Sequence, residues 1–233
     1  MTGSFAALVA AALLFTGGHF MLSGASLRRF LIGRLGRLPY LVLYSVIAVA
    51  TLAWLILAFA RAPYVELWGD PLWARYLVLV LMPFAAILLM CGALTPSPTA
   101  IGGARVLRRD DPAPGILKVT RHPVMWAFAL WAAVHLIANG DMASLILFGA
   151  VLTLALGGMA HMEARRRAEG GRAWQRLAAA TSVIPFAAAY SGRARISLAG
   201  IGWGRMVLGV ALYLVLLLGH EWVLDASPWP AGS

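Results

Sequence analysis

Six runs of apolar residues, each near the length of a bilayer-crossing helix, constrain this chain more than any single motif. They cover residues 4–24, 40–60, 73–94, 122–138, 142–162 and 203–224. A helix needs about 20 apolar residues to cross the roughly 30 Å hydrocarbon core. Inside lipid, only helices and closed barrels satisfy every backbone polar group. The predicted fold is therefore all-α, a polytopic membrane helical bundle of about six transmembrane helices. The fourth run is short unless it extends into its flanks. Spans and short connections take up nearly all 233 residues, so the chain reads as a single transmembrane domain, 1–233. At 61% hydrophobic and 12% charged, the composition excludes an ordinary globular domain.

Charge orients the spans. The first connection holds Arg28, Arg29, Arg34 and Arg37, and the third holds Arg105, Arg108, Arg109, Lys118 and Arg121. The fifth holds Arg165, Arg166, Arg167, Arg172, Arg176, Arg193 and Arg195. The second connection mixes Arg61, Glu66, Asp70 and Arg75, the fourth offers Asp141, and the tail carries Glu221 and Asp225. By the positive-inside rule the odd connections face the cytoplasm and both termini lie outside. A net charge of +10 placed this way fits anionic lipid and not nucleic acid. The first run has no positive residue before it, so it reads as a retained span and not a cleaved leader. Segments 27–35 and 172–184 pattern as interfacial helices, the second with Trp174, Leu177, Ala178, Thr181 and Ile184 on one face. Pro96, Pro98, Pro112 and Pro114 with Gly102 and Gly103 make the third connection an irregular loop. Cys91, alone in an apolar run, reads as a buried small hydrophobe, with no partner for a disulfide or a thiolate metal site.

The chemistry concentrates in histidines. An imidazole inside a membrane span is costly and is a functional candidate by default. His19 follows Gly17 and Gly18 in the first span; His122 and His135 share the fourth with Trp126 and Trp131. His161 closes the fifth span and His220 stands near the end of the sixth, beside Glu221 and Trp222. His122 and His135 are about 20 Å apart along one helix and on faces roughly 140° apart, so they do not grip one metal from the same side. His19 and His135 differ in depth by about 15 Å, which makes His19 with His122 or His161 the easier pair on depth alone. His122, directly before Pro123, equally reads as a helix cap, and His220 as an interfacial residue.

The combined pattern resembles the NnrU family of bacterial inner-membrane proteins. Gly18, His19 and Phe20 are followed by Leu27, Arg28 and Arg29, then Leu35–Gly36 and Leu43, Tyr44 and Ser45. Leu52 to Leu55, Ala62–Pro63, Thr120 to Pro123, Leu130 to Leu136, Ala138 to Asp141, Ala164 to Arg166 and Pro185–Phe186 complete the match, up to about residue 190. The resemblance implies an association with nitrite and nitric oxide reductases in denitrifiers. The same family includes plant and algal 15-cis-ζ-carotene isomerase, a haem b enzyme; the resemblance implies axial ligands at His19 and His135, and His122 also matches. Ala132 stands where those enzymes carry a cysteine, and Leu154 near where they carry a further histidine. A more distant likeness, to membrane isoprenylcysteine and phospholipid methyltransferases, rests on Arg121, His122 and Pro123 with Glu163 to Gly171, Trp174 and Pro185. The usual paired acids are reduced here to Glu163 followed by Ala164.

Three classes of function follow from these readings. The first is a haem b protein of the bacterial cytoplasmic (inner) membrane, working with respiratory nitrogen-oxide reductase components, its cofactor held by His19 and His135 with His122 a further candidate. The second is an enzyme, either a haem-dependent polyene isomerase or a methyltransferase. The third is an assembly factor whose histidines merely bond across helices.

Overall fold

A computed structural model describes residues 3–97 and 113–230, so Arg105, Arg108 and Arg109, with Pro98, Pro112, Gly102 and Gly103 of the third connection, lie outside the described residues. The chain is a helical membrane bundle. Helix α1 (Phe5–Ser23) starts where the Ser4 hydroxyl accepts from the Ala7 amide, and α2 (Ala25–Leu35) follows at once. Gly36, at φ +85°, turns the chain into α3 (Arg37–Ala60). Helix α4 (Leu72–Ala93) carries Pro83 in its interior. Helix α5 (Pro123–Ala138) begins on a proline, whose missing N–H costs nothing at that position. Asp141 caps α6 (Met142–Glu169) by accepting from the Ser144 amide at 2.9 Å. Three short helices, α7 (Arg172–Ala180), α8 (Ala187–Tyr190) and α9 (Leu198–Ile201), lead to α10 (Trp203–Leu224).

Six spans are expected from the sequence; among the described residues five helices are long and apolar enough to cross a membrane, namely α1, α3, α4, α6 and α10. At 16 residues α5 is about 24 Å long, short of the hydrocarbon thickness. Protein backs both its ends. At one end a two-stranded antiparallel ladder pairs β1 (Glu66–Gly69) with β2 (Gly140–Asp141). Gly140 is required there, because a Cβ would stand 2.0 Å from the Gly69 carbonyl oxygen. At the other end the segment 113–122 is packed beneath α7. Conversely, α6 runs about two turns past its apolar stretch, and Arg165 and Arg166 reach Glu169 one turn on.

The long helices form an arc in which α3 packs on α1, α1 on α6, α6 on α5, α5 on α4 and α4 on α10. Small residues set the close approaches, as expected where lipid supplies no hydrophobic drive between helices. Ala11, Ala12, Ala58, Ala132 and Ala143 surround Leu8, Leu55 and Phe148 in the main buried cluster. Gly209 lets α10 lie against the Ile87 backbone of α4. Cys91 is fully buried among Ile116, Val119 and Ile201.

The two amphipathic segments part ways. Helix α2 has no buried residue and keeps Phe30 and Leu35 exposed, as a surface-lying helix does. Helix α7 instead buries Trp174 and Leu177 against Ala113 and Leu117, so its apolar face is covered by protein. The helix ends at Ala180, and Thr181 serves as its cap while Ile184 is exposed in the following turn.

Candidate functional site

The long helices line a large, half-open cavity of about 1740 Å³. Walls from α1, α3, α4, α5, α6 and α10 are mostly apolar, including Phe15, Leu52, Phe128, Trp131 and Phe148. Ligand sites typically measure roughly 300–1,000 Å³, so this volume takes a large apolar molecule or more than one. Arginines mark one end of the cavity; Asp70, Arg75, Asp141 and the tail residues Ala226 to Pro228 mark the other. At that second end Arg75 pairs with Asp70 and donates to the Trp229 carbonyl at 2.6 Å.

Four of the five histidines line this cavity: His19, His135, His161 and His220. A carbonyl oxygen only accepts, so each hydrogen bond to backbone sets a tautomer. His19 donates from Nδ1 to Phe15 O at 2.6 Å, and His135 from Nδ1 to Trp131 O at 2.9 Å. His220 donates from Nδ1 to Ala226 O at 2.7 Å, whereas His161 uses Nε2 to reach Ser23 O at 3.2 Å. In His19 and His135 the Nε2 lone pair is thereby left available. An imidazole fixed through one nitrogen by a carbonyl is the arrangement that metal-ligating histidines adopt. Aromatic rings hold both in place: Phe15 at 4.7 Å and Tyr44 at 5.5 Å from His19, Phe148 at 5.3 Å and Trp131 at 5.5 Å from His135.

Helix α6 serves as a ruler for their depths. Phe20 abuts Gly157, which puts His19 near position 156, while His135 stacks on Phe148. Both contacts are made by side chains, so the two rings sit about eight residues of α6 apart in depth, or about 12 Å along the bundle.

His122 lies elsewhere. It is 2% exposed and forms a buried polar knot with Arg121 and Glu163, outside the cavity wall. Its Nε2–H donates to Glu163 Oε1 at 2.8 Å, while Arg121 Nη1 donates to Oε2 of the same carboxylate at 3.2 Å. Arg121 also donates to Thr181 O at 3.1 Å, and its guanidinium lies 5.7 Å from the Trp174 ring. Burial pulls the Arg121 guanidinium below its usual range, and the Glu163 carboxylate opposes that shift. Backbone pairing from Arg121 N to Ser182 O and from Phe186 N to Val119 O straps residues 181–186 onto the start of α5. Thr120 Oγ1 and Trp126 Nε1 both donate to Val183 O. The residues of the methyltransferase likeness thus do converge, but into a packed lock with its polar atoms turned inward.

Among the described residues no group of three or more His, Cys, Asp or Glu is arranged to hold a metal ion. Sequence reasoning missed the contact of Tyr44 with His19; it separated His122 from His135, but its pairing of His19 with His122 on depth does not match the structure, where His122 is not among the cavity-lining residues. No curated protein and no solved structure shows significant similarity to the chain. The family model described as NnrU protein matches residues 7–228, nearly its whole length, and the protein belongs to the NnrU family.

Proposed function

We propose that this protein is a haem b-binding membrane protein of the bacterial cytoplasmic membrane that supports nitrogen-oxide respiration. One observation carries the reading: His19 and His135, each with Nδ1–H committed to a backbone carbonyl, line the same largely apolar cavity. The donor set fits the group. Two neutral imidazoles are the ligands of many haems, and the cavity exceeds the size of a single planar macrocycle's usual site. A shared iron would need both Nε2 atoms within about 4 Å of each other, given imidazole–metal bonds of about 2 Å, so holding it between them would require α1 and α5 to shift along the bundle axis.

Bound there, haem would supply a one-electron couple. The chain's own part is to orient the imidazoles through Phe15 O and Trp131 O, to pack Tyr44 and Phe148 against them, and to exclude water with the surrounding apolar walls. The link to denitrification rests on what the resemblance to the NnrU family implies. The buried Arg121–His122–Glu163 knot favours a structural role for that segment over S-adenosylmethionine binding.

The test is haem retention in point variants. His19→Ala and His135→Ala, each purified as a folded protein, are expected to lose at least nine-tenths of bound haem. Full retention in both would sink the assignment.

A further inference from the structure

We propose that the arginine-lined mouth of the cavity is a binding site for an anionic phospholipid, its phosphate held between Arg28 and Arg165 and an acyl chain running into the cavity. A small side pocket of about 280 Å³ opens there, lined by Ala25, Arg28, Arg29, Arg165, Ala168 and Glu169. Arg28 and Arg165 line the large cavity as well, so a head bound in the side pocket is continuous with apolar space.

The charge at this mouth is unbalanced. Three guanidinium groups from two helices face one carboxylate, and Glu169 is already shared between Arg165 at 3.8 Å and Arg166 at 3.4 Å. Arg165 Nε is buried and makes no hydrogen bond. Converging guanidinium forks suit a phosphate, which they bind bidentately. Depth selects a lipid over a soluble anion. Arg28 and Arg29 ride on α2, the helix with no buried residue and with Phe30 exposed, which places the mouth at headgroup level. Immediately inside stand Phe20, Ile32 and Leu41, a surface for an acyl chain and not for water.

The experiment uses the full chain in detergent, with native mass spectrometry reading bound lipid during titration with phosphatidylglycerol or phosphatidylcholine. Phosphatidylglycerol is expected to bind at least tenfold more tightly than phosphatidylcholine. Arg28→Gln with Arg165→Gln should cut that preference about tenfold. Arg172→Gln with Arg176→Gln, exposed positions that line neither the cavity nor the side pocket, makes the same charge change and should leave it intact. Arg28→Gln alone, on a helix that contributes nothing to the core, keeps the test open if the double variant does not fold. An equal loss in the Arg172/Arg176 variant, no preference in the wild type, or displacement of the lipid by millimolar inorganic phosphate would each overturn the proposal.

Discussion

Replacing Glu163 by alanine removes a carboxylate that, among the described residues, serves both Arg121 and His122. The side chains of Arg121 and Glu163 are 9% and 10% exposed, so the charge left behind stays out of water. Breaking a buried pair by deleting one partner costs about 3–5 kcal/mol. For a protein of this size that corresponds to a fall of roughly 6–20 °C in Tm. Glu163→Gln should cost less, about 1–2 kcal/mol, because an amide oxygen still accepts from Arg121 and the amide N–H₂ can donate to an imidazole nitrogen. Replacing both charged partners, Arg121→Met with Glu163→Leu, should recover only part of the alanine loss, because His122 Nε2–H is still left buried without its acceptor. The assay is unfolding of the detergent-solubilised protein followed by tryptophan fluorescence, with Trp126 and Trp174 both beside the knot. A Glu163→Ala variant within 1 kcal/mol of wild type would refute the reasoning and mean that water reaches the knot.

Gly209→Ala would place a methyl 2.6 Å from the Ile87 Cα, a backbone atom that cannot swing aside, and should destabilise the α4–α10 contact by about 1–3 kcal/mol in the same assay. Asp141→Ala removes the cap of α6 and should cost about 1 kcal/mol, with faster amide exchange at Ser144 than elsewhere in the helix. Tyr213→Phe deletes the 3.1 Å bond from the Tyr213 hydroxyl to Leu79 O and should lower stability by about 0.5–1.5 kcal/mol without affecting haem content.

The long helices were legible because hydrocarbon forces uninterrupted apolar runs, and α1, α3, α4, α6 and α10 each carry one. What escaped depends on contacts between distant residues. The β1–β2 ladder rests on two residues of strand and a glycine whose need shows only when Gly69 is beside it. Helix α7 has the face of an interfacial helix, and nothing local reveals that Leu117 covers it in place of lipid. Arg121 and Glu163 are far apart in sequence. Their one local signal is an acid next to the Arg165–Arg167 run, a position where a lone carboxylate needs a reason. The histidine pair shows the opposite case. His19 and His135 stand out as ionisable groups in apolar helices, and both line one cavity, at depths about 12 Å apart.

The most direct test of the central claim is a reduced-minus-oxidised absorbance spectrum of the purified protein, expressed with ample haem. Ligation by both His19 and His135 predicts one haem b per chain and sharply split α and β bands, with the Soret band lost in either alanine variant. A featureless spectrum from well-folded, haem-exposed protein would contradict it and leave the cavity as a site for lipid alone.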